Sequence, residues 1–125
     1  MINLSLIAIG GATGALARYG VSRYFIATFG SSAAPIATLI TNVIGSFLIG
    51  LAYVYLVERQ LLPTHITQAL TVGLLGAFTT FSTFSIEIFH FFTTGRVVLG
   101  LGYLLSSIIL GLTAVSLGII LARLS

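Results

Sequence analysis

The residues of this chain whose types and spacing can do chemistry are hydroxyls and one carboxamide, set inside long apolar runs. Thr38, Asn42 and Ser46 are spaced by four, which places them on one helical face. Further on, GAFTTFSTF at 76–84 holds three Phe, three Thr and one Ser in nine positions. Thr80, Thr83 and Glu87 then follow at spacings of three and four, a hydroxyl stripe ending in a carboxylate. Phe78, Phe81 and Phe84 recur every three residues on a neighbouring face. Tyr103 and Ser107 share a later face, with Ser106 alongside. Polar side chains at membrane depth are costly and mark pathways by default. The plain alternative for Asn42 is an interhelical hydrogen bond, worth about 0.6–2 kcal/mol.

These groups form a lining of donors: hydroxyls, an amide and the electropositive rims of phenyl rings. No Asp or Glu falls at mid-span, where a cation pathway would show carboxylates or rings of carbonyls. The lining therefore suits a small anion better than a cation. Hydroxyls also accept hydrogen bonds, and Phe at helical spacing is commonly packing, so both readings stand at this point. The two His and two Glu are too scattered for a metal or catalytic set. No phosphate loop, dinucleotide fingerprint or nucleophile motif is present, which argues against an enzyme.

The elements that must position these groups are transmembrane helices. Hydrophobic residues make up 58% of the 125 and charged residues 6%, against about 25% charged in a soluble domain. Mean hydropathy is +1.19. A spanning helix needs about 20 mainly apolar residues. Four stretches qualify: 4–24, 35–57, 66–92 and 97–121. Breaker signals join them at Gly30-Ser31-Ser32, at 58–64 and at Thr93-Thr94-Gly95-Arg96. The expected fold is an all-α membrane protein, a single domain over 1–125 with four transmembrane helices per subunit. The N-terminus has no basic region ahead of its apolar run, so it is expected to stay as the first helix rather than be cleaved. With five Arg and no Lys, the pI near 9.8 reflects a scarcity of charge and carries no nucleic-acid signal. The absence of Cys excludes disulfides and thiolate metal sites.

The third stretch is longer than a bilayer requires, and Thr79 is its midpoint. The TTFST run joins β-branched and aromatic residues, mediocre helix formers, and follows Gly73 and Gly76. A helix broken near its middle is expected there. Irregular backbone at that depth is tolerated only where protein or water covers it. Carbonyls freed by a break can bind a cation. Alternatively, the Ser and Thr hydroxyls bond back to their own helix and leave it merely bent.

Four helices put both termini on one side, with Arg59 and Arg123, and leave Arg23 and Arg96 opposite. Arg18 lies within the first helix near that opposite side. Positive charge normally sets topology, and here it is nearly balanced. An antiparallel dual-topology homodimer is expected, the alternative being a topology fixed by weaker cues. Gly10 and Gly14, Ser46 and Gly50, Ser107 and Gly111, and Ala114, Gly118 and Ala122 are spaced for close helix packing, within a subunit or between two. Arg18 and Arg23, with Tyr19 and Tyr24, read either as an interfacial belt or, for Arg18, as a charge drawing anions into a vestibule. Glu58, Arg59, Arg96 and Arg123 read as solvated ends, His65 as a loop residue and His90 as interfacial.

GGATGALARY at 10–19, TLITNVIGSFLIG at 38–50 and GLLGAFTTFSTFSIE at 73–87 together resemble the Fluc/CrcB family of fluoride channels. The four-helix plan and length match as well, so the resemblance covers nearly the whole chain. It implies an antiparallel homodimer in the inner (plasma) membrane, with two pores that pass fluoride passively and relieve its toxicity. By motif position, Asn42 would be the pore amide, and Phe81 and Phe84 would present ring edges to fluoride. Thr38, Tyr103 and Ser107 would line the pore, with Thr80, Thr83 and Glu87 on a polar track and Arg18 in the vestibule. Backbone carbonyls of Gly76 and Thr79 would hold one structural Na+ on the twofold axis. Many members have Gly-Gly where this chain has Gly76-Ala77; a positive φ at the second position would strain Ala. Two rival readings are a small antiparallel multidrug transporter, which wants a carboxylate deep in the first helix that is missing here, and a purely structural membrane subunit.

Overall fold

A computed structural model of the chain describes residues 1–125. Helix α1, Ile2–Phe29, ends at Gly30, whose φ of 93° is a conformation that glycine adopts without strain. A 3-10 turn, Ser31–Ala33, leads into α2, Ala34–Ala52, with Pro35 in its first turn where no N–H is needed. The same rod continues as a π-wound stretch, Tyr53–Glu58. Helix α3 opens at Thr64–Gln68, widens into π winding over Ala69–Leu75 and closes with Gly76–Phe78. Thr79 is extended, with φ −87° and ψ 159°. Winding resumes in α4, Ser82–Thr93, and a turn with Gly95 at φ 78° leads to α5, Val97–Leu124.

Four helical spans are long and apolar enough to cross a membrane: Ile2–Phe29, Ser31–Glu58, Thr64–Thr93 and Val97–Leu124. The chain is all-helical and multi-pass. Each span overruns the stretch read from hydropathy by up to several residues, because helices continue past the hydrocarbon into the interface, where Arg and Tyr are tolerated. That continuation also corrects the placement of His65, which sits in the first helical turn of α3 and not in a loop. Ala77 is helical and is not among the residues with positive φ, so the Gly-to-Ala departure carries no backbone strain.

Several of the small-residue rows serve contacts inside one chain, whereas Ser107 and Gly111 border an open cleft. Helix α2 lies against α5 so closely that a Cβ on Gly118 would strike the Phe47 carbonyl, and one on Gly50 the Val115 carbonyl. Ala114, Gly118 and Ala122 are buried along this seam. Gly10 and Gly14 of α1 meet the Ala69 and Leu74 backbones of α3, and Gly73 meets Ile7 in return. Tight backbone approach of this kind supplies the dispersion contacts that hold helices together in lipid. At the end carrying both termini, Arg123 pairs with Glu58, and Arg59 donates through Nη2 to the Ala122 carbonyl at 2.9 Å. Glu58, Arg59 and Arg123 are exposed, as the sequence suggested, and they also fasten the π-wound end of the second span to the end of α5.

Candidate functional site

The site grows out of the lapse in winding between α3 and α4. A continuous helix would pair each N–H from Thr80 to Thr83 with the carbonyl four residues back. Three of those groups, the N–H of Thr80 and of Thr83 and the carbonyl of Ala77, find other partners. The Asn42 carboxamide on α2 takes both polar groups of Thr80: its Oδ1 accepts from the Thr80 N–H at 2.8 Å, and its Nδ2 donates to the Thr80 carbonyl at 3.0 Å. Engaging one donor and one acceptor fixes which way the amide faces. Arg18 donates through Nε to the Ala77 carbonyl at 3.1 Å. The Thr83 N–H, in the first turn of α4, donates to Thr80 Oγ1 at 3.2 Å. The carbonyls of Gly76, Phe78 and Thr79 accept no hydrogen bond from the protein.

Two clefts flank this region. The larger, about 560 Å³, is lined by Asn42, Ser46, Thr71, Gly76, Thr79, Thr80, Phe81, Phe84, Ser107 and Gly111, among others, with no charged residue. The smaller, about 230 Å³, is lined by Arg18, Tyr19, Ser22, Thr38, Thr41, Thr80 and Thr83. Thr80 lines both. Phe84 is buried, whereas Phe81 is 79% exposed at the open side of the larger cleft. Their ring centroids are 5.8 Å apart, and Phe84 meets Tyr103 edge-on at 5.2 Å. Glu87 borders neither cleft. It accepts from Thr38 Oγ1 at 2.6 Å and from Tyr103 Oη at 3.2 Å, which joins α2, α4 and α5.

The residues singled out by sequence thus divide. Asn42, Thr80, Phe81, Phe84 and Ser107 meet at the larger cleft with Gly76 and Thr79. Arg18, Thr38 and Thr83 border the smaller one. Tyr103 and Glu87 reach these groups through hydrogen bonds and ring contact. Sequence reasoning missed Thr71 and Gly111 in the lining and the bond from Arg18 to Ala77. The signal for Ser46 was present in its spacing from Asn42. The arrangement offers neutral donors and ring rims to a small anion, and uncommitted carbonyls to a cation.

Four membrane-length helices, the last three of which line a charge-free, hydroxyl-bearing cleft, define a small polytopic membrane protein with a polar site. The model of one family, described as CrcB-like protein, Camphor Resistance (CrcB), matches residues 5–119. The chain belongs to the CrcB family. It is 44% identical over 117 residues to a Saccharophagus degradans protein named fluoride-specific ion channel FluC, covering 94% of this chain and 86% of that one. A protein of the same name from Hahella chejuensis is 45% identical over 126 residues, 98% and 95% of the two chains. Another, from Magnetococcus marinus, is 41% identical over 123 residues, 98% and 99% of the two chains.

Proposed function

We propose that this protein is a passive, fluoride-selective channel that lets fluoride out across the inner (plasma) membrane and so relieves its toxicity. The observation that carries the reading is the larger cleft, where the Asn42 clamp on Thr80 holds Phe81, Phe84 and the hydroxyls around an uncharged, donor-rich space. Fluoride is small and strongly hydrated. Close-set donors replace part of its water, and neutral donors bind it without trapping it, as conduction requires. The names of the relatives support the choice of anion.

In this reading the third span is a broken transmembrane helix, and two chains pair antiparallel so that their breaks meet at the twofold axis. The exposure of Phe81 at the open side of the cleft fits a second chain closing it. Each dimer then has two pores. Thr38, Thr80, Thr83, Glu87, Tyr103 and Ser107 continue the polar route, and Arg18 attracts anions at its mouth while holding the Ala77 carbonyl. The uncommitted carbonyls of Gly76 and Thr79 are hard oxygen donors and suit a structural Na+. When bound, the ion supplies a fixed positive charge at the break. The chain's own residues do the rest: Asn42 orients the backbone, and the Phe and hydroxyl groups meet the anion.

The test is ion efflux from proteoliposomes, with an electrode for fluoride, valinomycin carrying compensating potassium, and a matched chloride run. Rapid fluoride release without chloride release is expected. No release of either ion from dimeric protein would overturn the function.

A further inference from the structure

A Ser or Thr on a membrane helix commonly spends its O–H on a carbonyl one turn back. Thr13, Thr71, Thr79, Ser85 and Ser116 all do this here, each with the carbonyl four residues earlier. Ser46 does not. It lies one turn beyond Asn42 on α2, lines the larger cleft and makes no hydrogen bond to the protein. Ser107 Oγ, also in the lining, is buried without a partner. Asn42 spends one Nδ2–H on the Thr80 carbonyl and keeps the other. Three neutral donors bordering one cleft are therefore uncommitted.

Room is kept for one of them. Gly111 is one turn from Ser107 on α5, and a Cβ placed on it would lie 3.7 Å from Ser46 Oγ. That is ordinary contact, so the seam between α2 and α5 does not itself demand glycine at 111. The lack of a side chain leaves the Ser46 hydroxyl uncovered.

We infer that Ser46 is a further anion-coordinating residue, donating its O–H to fluoride one helical turn from Asn42, with Gly111 keeping that hydroxyl open. The inference rests on the channel reading above. A hydrogen bond to an ion is stronger than one between neutral groups, so a free hydroxyl here has more value to a dehydrated anion than to its own helix. The competing explanation is that Ser46 is only a small residue suited to packing beside Gly50. The two differ in what they cost the folded protein when the hydroxyl is removed.

The experiment compares wild type, Ser46→Ala and Gly111→Ala in proteoliposomes at sub-saturating fluoride, with the thermal unfolding midpoint measured alongside. Ser46→Ala should lower fluoride flux roughly ten-fold or more, the size of a lost bond to a charged partner. Its midpoint should not fall, because no bond within the protein is removed. Gly111→Ala should lower flux in the same direction by covering the hydroxyl, again without loss of stability. Wild-type flux in Ser46→Ala overturns the inference and leaves the channel reading standing. A lowered flux matched by a lowered midpoint also overturns it, in favour of packing. A wild-type protein that passes no fluoride overturns both.

Discussion

Replacing Asn42 with Ala removes the two hydrogen bonds that substitute for helical winding at Thr80. The bonds are 2.8 Å and 3.0 Å long, and both end on backbone groups that have no helical partner. Leaving a buried donor or acceptor unpaired costs about 1–3 kcal/mol. The pair together thus sets a range of roughly 2–6 kcal/mol, with the lower part favoured because the cleft is open and water can reach Thr80. Spread over a small membrane domain this would show as a lowered unfolding midpoint. Hydrogen exchange gives a sharper readout. Loss of about 1–3 kcal/mol of local protection should speed exchange at the Thr80 amide roughly 5- to 150-fold. Amides in the middle of α1 should be unchanged. Fluoride flux should fall with it, since the same carboxamide orients the backbone between Thr79 and Phe81. Unchanged exchange at Thr80 together with an unchanged midpoint would refute the claim that Asn42 holds this backbone in place.

Phe81→Ile keeps apolar bulk but removes a ring edge; fluoride flux should drop at least about ten-fold, while the dimer stays intact because the replacement still fills the space. Wild-type flux in that variant would argue against a role for the ring. Glu87→Gln should have the smaller effect on flux, because the hydroxyls of Thr38 and Tyr103 can re-pair with an amide; abolished flux would point to coupled transport instead. Gly118→Ala should destabilise the fold, since its Cβ meets the Phe47 carbonyl. Overpacking costs about 1–3 kcal/mol and outweighs the gain of at most about 1 kcal/mol in helix propensity. Gly102→Ala, with nothing within 4 Å of its Cβ, is the control and should not lower the midpoint. Equal midpoints for the two variants would contradict the close approach of α2 and α5.

Hydropathy located the four spans to within a few residues, because span length is set by bilayer thickness and apolar runs record it directly. The mediocre helix formers of TTFST fall where Thr79 turns extended, a local preference that tertiary contacts reinforce. The partners of that backbone were harder to read. Asn42 was visible as a costly buried amide, but its grip on Thr80 depends on the register of α2 against α3 and α4, which no spacing within one helix encodes. Arg18 and Ala77 are 59 residues apart in sequence, so their bond was equally hidden. The glycine rows announced close packing without naming the partner. The structure assigns Gly50 and Gly118 to one seam within the chain and Gly10, Gly14 and Gly73 to another. The pairing of Glu58 with Arg123 escaped notice for the same reason: each looked like an ordinary charged helix end.

The most direct measurement is the current through the protein in a planar lipid bilayer with both ions on both sides, under a fluoride gradient and an opposed chloride gradient. A passive fluoride channel should give discrete unit currents, proportional to driving force, that reverse at the fluoride equilibrium potential. Reversal at the chloride potential, or no unit current from protein shown to be folded, would contradict it.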